Sequence, residues 1–137
     1  MKVIFNISNI IDTMNTLKLK VELEQLYVLN EFIAEHYPNK DITLNLVVEE
    51  IFVNIVNYSN AKYIIVNVES DNYLTIEFID NGIQFDPTLK EDLETPKTLD
   101  EAQIGGLGIL LAKNYADEIT YTYENRENRL KIYKKVE

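Results

Sequence analysis

Hydrophobic positions along this chain change period several times, and each change marks an element. Val3, Phe5 and Ile7 alternate with polar neighbours, as do Leu17, Leu19 and Val21, the pattern of short half-buried strands. Between them, Asn9 to Thr16 shows no period to assign. From Leu23 to Tyr37 the spacing lengthens: Leu26, Leu29, Ile33 and Tyr37 share one face of an amphipathic helix, stopped by Pro38 and Asn39. Asp41 is a credible N-cap for a second helix running to about Tyr58. Leu44, Val47, Val48, Ile51, Phe52, Ile55 and Val56 make that helix apolar enough to predict that it is largely buried. Tyr63–Glu69 and Tyr73–Asp80 alternate as strands around a turn at Asp71-Asn72. A shorter helix is expected to end near Asn114-Tyr115, and Glu118–Tyr123 with Arg129–Lys134 reads as a closing hairpin. No repeat or linker divides the chain, so residues 1–137 are expected to form a single domain.

Polar residues that interrupt these patterns carry the chemical information. Glu50, Asn54 and Asn57 stand four and seven positions apart and so share a face of the apolar helix. Burying such groups unpartnered costs about 2–7 kcal/mol for each neutral one. The stripe therefore meets a ligand, a metal or water, or else it faces solvent. In the strand Tyr73–Asp80, period two carries Asp80 onto the inner row of Leu74, Ile76 and Phe78. A carboxylate there needs a donor. The chain holds four glycines, and Gly105, Gly106 and Gly108 lie just ahead of Ile109-Leu110-Leu111-Ala112. A bare loop opening into a helix aims N–H groups and the positive helix end outward, which suits a phosphate. Its plainer reading is a flexible helix start. Gly82 follows Asp80, and the acidic stretch from there to Gln103 has no strand period, placing a lid-like loop between the glycine clusters.

Composition narrows the classes. With 46% hydrophobic and 26% charged residues the chain is ordinary globular protein. It has no cysteine, which excludes a disulfide framework and a thiolate metal site. A net charge of −10 argues against nucleic acid as a direct partner. The same charge makes phosphate binding depend on backbone dipoles and a divalent cation. No apolar run approaches the ~20 residues of a membrane span, and the start Met-Lys-Val-Ile-Phe-Asn lacks a leader's apolar core. No membrane association and a cytoplasmic location are the expectations.

Glu-x-x-x-Asn on a helix, Asp-x-Gly at a strand end and Gly-Gly-x-Gly opening a helix occur here in that order. They resemble the nucleotide-binding boxes of the GHKL superfamily of gyrase, heat-shock chaperone, histidine kinase and mismatch-repair ATPases. The chain looks most like the small anti-sigma factor serine/threonine kinases, over about residues 18–133. The pieces that carry the likeness are Val48-Glu-Glu-Ile-Phe-Val-Asn-Ile-Val56, Phe78-Ile-Asp-Asn-Gly-Ile-Gln-Phe-Asp-Pro87 and Gln103-Ile-Gly-Gly-Leu-Gly-Ile109. The resemblance implies an α+β fold, a two-layer α/β sandwich of the Bergerat ATP-binding type. Its mixed, mostly antiparallel sheet would be covered on one face by about three helices, with an ATP lid at about 83–104.

By the same resemblance ATP and Mg²⁺ are the cofactors. Glu50 would be the general base and Asn54 would coordinate Mg²⁺ through its amide oxygen. Asp80 would accept from the adenine amine, and Gly82 would let the backbone pass close to the base. Phe85, Lys97, Ile104 and Gly105 would join the nucleotide site, while Gly106, Leu107 and Gly108 present N–H groups to the phosphates. Lys90 or Lys97 would reach the γ-phosphate from the lid. Glu49, turned about a quarter of the circumference from Glu50, is assigned to the surface or a partner.

The implied activity is that of an ATP-dependent serine/threonine protein kinase acting as an anti-sigma factor. Its substrate would be a STAS-type anti-anti-sigma protein, its second partner a sigma factor, and a homodimer is implied by the family alone. The chain departs from its relatives in Gln84, where a second glycine is frequent, and in Asn57, near which many carry a histidine. The lid carries Asp86, Glu91, Asp92, Glu94, Asp100 and Glu101 against two lysines. That charge keeps open a second reading, a nucleotide-sensing interaction module with little or no phosphotransfer. A plain ATPase is a third. The lone His36 at the end of the first helix lacks the dimerisation helix of a histidine kinase and reads as a surface or packing residue.

Overall fold

A computed structural model describes residues 15–39, 41–89 and 107–136. The strand expected at Val3–Ile7, residues 90–104 of the expected lid, and Gly105 and Gly106 lie outside this set. The elements are β1 (Asn15–Leu19), α1 (Leu26–His36), α2 (Ile42–Tyr58), β2 (Ile64–Ser70), β3 (Tyr73–Asp80), α3 (Leu107–Tyr115), β4 (Glu118–Glu124) and β5 (Glu127–Lys135). Short 3₁₀ turns stand at Leu23–Gln25 and Pro87–Leu89. The five strands form one open sheet in the order β1-β2-β3-β5-β4, and every pairing is antiparallel.

Local sequence explains most boundaries. Asp41 is extended, and its Oδ1 accepts the Leu44 N–H at 3.1 Å, closing the first turn of α2 as an N-cap does. The β4–β5 turn places Asn125 and Arg126 at φ of 55° and 64°, the left-handed pair that a two-residue hairpin requires. His36 packs edge-on against Phe32, with ring centroids 4.7 Å apart, at the end of α1.

The core lies between one face of the sheet and the three helices. Ile64, Val66 and Val68 of β2, Leu74, Ile76 and Phe78 of β3, and Leu130 and Ile132 of β5 alternate onto that face. Leu29 and Ile33 of α1, Val47, Val48 and Phe52 of α2, and Ala112 of α3 press on it from the other side. The expectation that α2 is largely buried holds for Leu44–Phe52 alone. Residues 53–56 are half-buried, and Asn57 and Tyr58 are exposed. The second half of the helix borders a pocket rather than packed core, and the polar stripe divides there: Glu50 and Asn54 are half-buried, whereas Asn57 faces solvent.

Tyr115, the last residue of α3, donates its hydroxyl to Asp41 Oδ2 at 2.7 Å, at the start of α2. At its other end α3 places Ile109 beside Ile51 and Ile55 of α2. The two helices therefore run antiparallel, and the first turn of α3 abuts the half of α2 that carries Asn54. Among the described residues no helix is long and apolar enough to cross a membrane.

Candidate functional site

Between the second half of α2, the ends of β3 and β5, the loop after β3 and the start of α3 lies a pocket of about 400 Å³. That volume is within the range of small-molecule sites, ~300–1,000 Å³. Its walls are mostly apolar: Ile51 and Ile55 of α2, Phe78 of β3, Ile109 of α3 and Leu130 of β5. Ile83 and Phe85, both largely exposed, stand among its lining residues on the loop. Its polar lining residues include Asn54, Asp80, Tyr121 and Asn128. An apolar slot with few fixed polar groups suits a flat, mostly hydrophobic ring system that needs orienting.

Asp80 is the buried charge of the site, 5% exposed. Its Oδ1 accepts two hydrogen bonds, from the Gly82 N–H at 2.8 Å and from Asn128 Nδ2 at 3.1 Å. Oδ2 receives no donor from the described residues. Burial pushes the carboxyl above its ordinary range, the two donors pull it back, and the negative Glu127 pushes it up again. A buried carboxylate with one oxygen satisfied by protein is set to accept from a ligand amine with the other.

Asn128 holds the loop to that carboxylate. β3 and β5 pair in a register that sets Asp80 opposite Asn128. Its Nδ2 also donates to Ile83 O at 3.0 Å and, more weakly, to Gly82 O at 3.4 Å. Its Oδ1 accepts from the Phe85 N–H at 3.1 Å and from the Tyr121 hydroxyl. On the far side the loop is sealed to the end of α2. The Ile83 N–H donates to Ser59 O at 2.8 Å, and Asn81 Oδ1 accepts from the Lys62 and Tyr63 N–H groups at 2.7 and 3.2 Å. A Cβ on Gly82 would stand 2.4 Å from Ser59 O and 2.6 Å from Ser59 Cβ, so only glycine fits. Further along, Lys113 Nζ of α3 donates to Thr88 O at 3.0 Å and ties the root of the lid to that helix.

Of the residues singled out from sequence, Asn54, Asp80 and Phe85 line the pocket. Gly82 does not; its bare Cα is required by the approach of α2's end rather than by space for a base. Glu50 lies one turn before Asn54 and is not among the lining residues. Leu107 and Gly108 open α3, whose Ile109 reaches the pocket. Lys90, Lys97, Ile104, Gly105 and Gly106 lie outside the described residues. Asn128 and Tyr121 were not anticipated. Period two run back from Ile132 and Leu130 puts Asn128 on the inner row, and that was the available signal.

Among the described residues no three acidic or histidine side chains cluster as a metal site. A divalent ion here would draw on Asn54 and otherwise on phosphate and water oxygens, which a hard cation accepts. The family model for the histidine kinase-like ATPase domain matches residues 20–134. A search of curated proteins finds no match.

Proposed function

Since the chain belongs to the histidine kinase-like ATPase domain family, we propose that its pocket binds the adenine of ATP. We further propose that the protein is a serine/threonine kinase of the anti-sigma type. The observation that carries the nucleotide reading is Asp80, which uses Oδ1 for protein donors and keeps Oδ2 for a ligand inside an apolar slot. In this reading Oδ2 accepts from the exocyclic amine while Ile51, Ile55 and Leu130 cover the ring. The positive end of α3 faces the phosphates, as a helix start favours anions. Asn54 is the residue that would hold Mg²⁺, which supplies neutralisation of phosphate charge when bound.

Glu50 takes the proton of a serine or threonine hydroxyl on the protein substrate. The hydroxyl oxygen bonds the γ-phosphorus as the bond to the bridging oxygen breaks, and ADP leaves. The proposed substrate is a STAS-type anti-anti-sigma domain and the proposed second partner a sigma factor. These, and a homodimer, rest on the resemblance of the three motifs. A second reading is a nucleotide-sensing module without transfer, and the acidic composition of the lid, Asp86, Glu91, Asp92, Glu94, Asp100 and Glu101 against two lysines, favours it. Incubation with γ-labelled ATP and a purified STAS domain separates the two. Label on the STAS domain from wild type and none from Glu50→Gln supports the kinase. Nucleotide-dependent partner binding that survives Glu50→Gln, with no label from wild type, supports the sensor.

A further inference from the structure

We propose that Asn128 is the specificity-determining residue of the nucleotide site. By engaging Asp80 Oδ1 it keeps Oδ2 as a fixed acceptor, selecting a base that carries an amine over one that carries a carbonyl at the same edge. The inference rests on the adenine reading above and extends it to a residue that touches no phosphate or reacting atom.

The amide has one chemically sensible orientation. Its nitrogen faces three acceptors, Asp80 Oδ1, Ile83 O and Gly82 O. Its oxygen faces two donors, the Phe85 N–H and the Tyr121 hydroxyl. Turned over, the amide would set oxygen against a carboxylate and two carbonyls, and nitrogen against the Phe85 N–H. Asn128 is itself buried, 6% exposed, so water does not replace a lost partner cheaply.

The charge on Asp80 is contested by its surroundings, and Asn128 is one of two groups that defend it. Burial and Glu127 of β5 favour the neutral acid, while the Gly82 N–H and the Asn128 amide favour the carboxylate. The other titratable groups that feel this charge are Tyr121 of β4 and Tyr63 ahead of β2, with Asp86 of the loop acting on Tyr121. Among lining residues, α2 presents Asn54 and Tyr58 to the pocket and α3 presents Ile109, none of them a cation. If Asp80 takes up a proton, its pocket-facing oxygen becomes a donor. It then suits the 6-carbonyl of inosine better than the 6-amine of adenine. Amine selection therefore tracks the bond from Asn128 to Asp80.

The test compares ATP with ITP by calorimetry from mildly alkaline pH down to the ordinary aspartate range, for wild type, Asn128→Ala and Asn128→Asp. It is paired with an NMR titration of the Asp80 carboxyl carbon in nucleotide-free protein. Wild type prefers ATP and loses that preference as pH falls. Asn128→Ala lowers the ATP-over-ITP ratio about tenfold or more, the loss expected when a bond to a buried charge goes, and raises the Asp80 titration. In Asn128→Asp the introduced carboxyl keeps an acceptor for Phe85 and Tyr121 and shares one proton with Asp80. With that proton on the introduced group, Asp80 stays charged and ATP binds; when both ionise, they repel. ATP affinity in this variant therefore falls as pH rises, opposite in slope to wild type. An unmoved Asp80 titration, equal losses for ATP and ITP, or a wild-type slope in Asn128→Asp overturns the inference while the adenine reading stands. Failure of folded wild type to bind either nucleotide overturns the reading itself, and base selection with it.

Discussion

Asp80 and Asn128 face each other across adjacent strands, with Asn128 Nδ2 donating to Asp80 Oδ1 at 3.1 Å. β3 contributes the charge, β5 the clamp, and the loop that follows β3 folds back so that its Gly82, Ile83 and Phe85 backbone groups close on the same pair. The floor of the pocket is thus a backbone-and-amide network rather than a lone carboxylate, and its parts are expected to fail in distinguishable ways.

Gly82→Ala tests the seal between the loop and α2. The new methyl would meet Ser59 O at 2.4 Å, and that atom already accepts from the Ile83 N–H and belongs to backbone that cannot rotate aside. Overpacking of this kind costs about 1–3 kcal/mol. Chemical denaturation should show that loss, and ATP affinity should fall with it because Asp80 Oδ1 lies 2.9 Å from the same Cβ position. Unchanged stability would mean that the loop yields without strain.

Why some of this was legible from sequence and some was not follows from where the forces act. The cap Asp41, the apolar period of α2 and the inner-row position of Asp80 are local signals, and each is read within a few residues. Asn128 sits beside charged residues at the start of a hairpin strand, and its importance comes from pairing with a strand nearly fifty positions away. Gly82 was legible as a necessary glycine, but the neighbour that makes it necessary is Ser59, brought there by tertiary packing. Asn57 shared a helical face with Glu50 and Asn54 on paper, yet α2 runs past the core before reaching it, so solvent satisfies its amide.

Asp80 should make the nucleotide-free protein less stable at neutral pH than it is with a neutral group there. Its folded pKa is raised above the unfolded value, so the favourable contribution is present below the ordinary aspartate range and is lost as pH rises through the folded value. Asp80→Asn should therefore raise the melting temperature at neutral pH, with the gain shrinking as pH is lowered toward the ordinary aspartate range. A gain that grows on acidification would reverse the sign and contradict the assigned burial of charge.

Tyr115 and Asp41 join the ends of α3 and α2. Tyr115 ionisation is strongly disfavoured, first by burial and then by the Asp41 carboxylate that accepts its proton-bearing hydroxyl. A hydrogen bond to a charged group contributes about 1.5–3 kcal/mol. Tyr115→Phe should lose an amount near the lower end, because Asp41 keeps its cap bond to Leu44. Asp41→Ala should lose more, giving up cap and latch together. A double-mutant cycle with a coupling near zero would show that the two helices are held by packing alone.

The central claim is that Asp80 Oδ2 accepts from the amine of adenine, and calorimetric titration of ATP into wild type and Asp80→Asn tests it most directly. Asparagine can turn its oxygen to the Gly82 and Asn128 donors, which preserves the fold, and this leaves its nitrogen facing the pocket. A donor then opposes a donor, and the account predicts an affinity loss of about 10–150-fold, the equivalent of a bond to a buried charge. Circular dichroism should show an unchanged fold. Equal affinity of the two folded proteins for ATP would contradict the account.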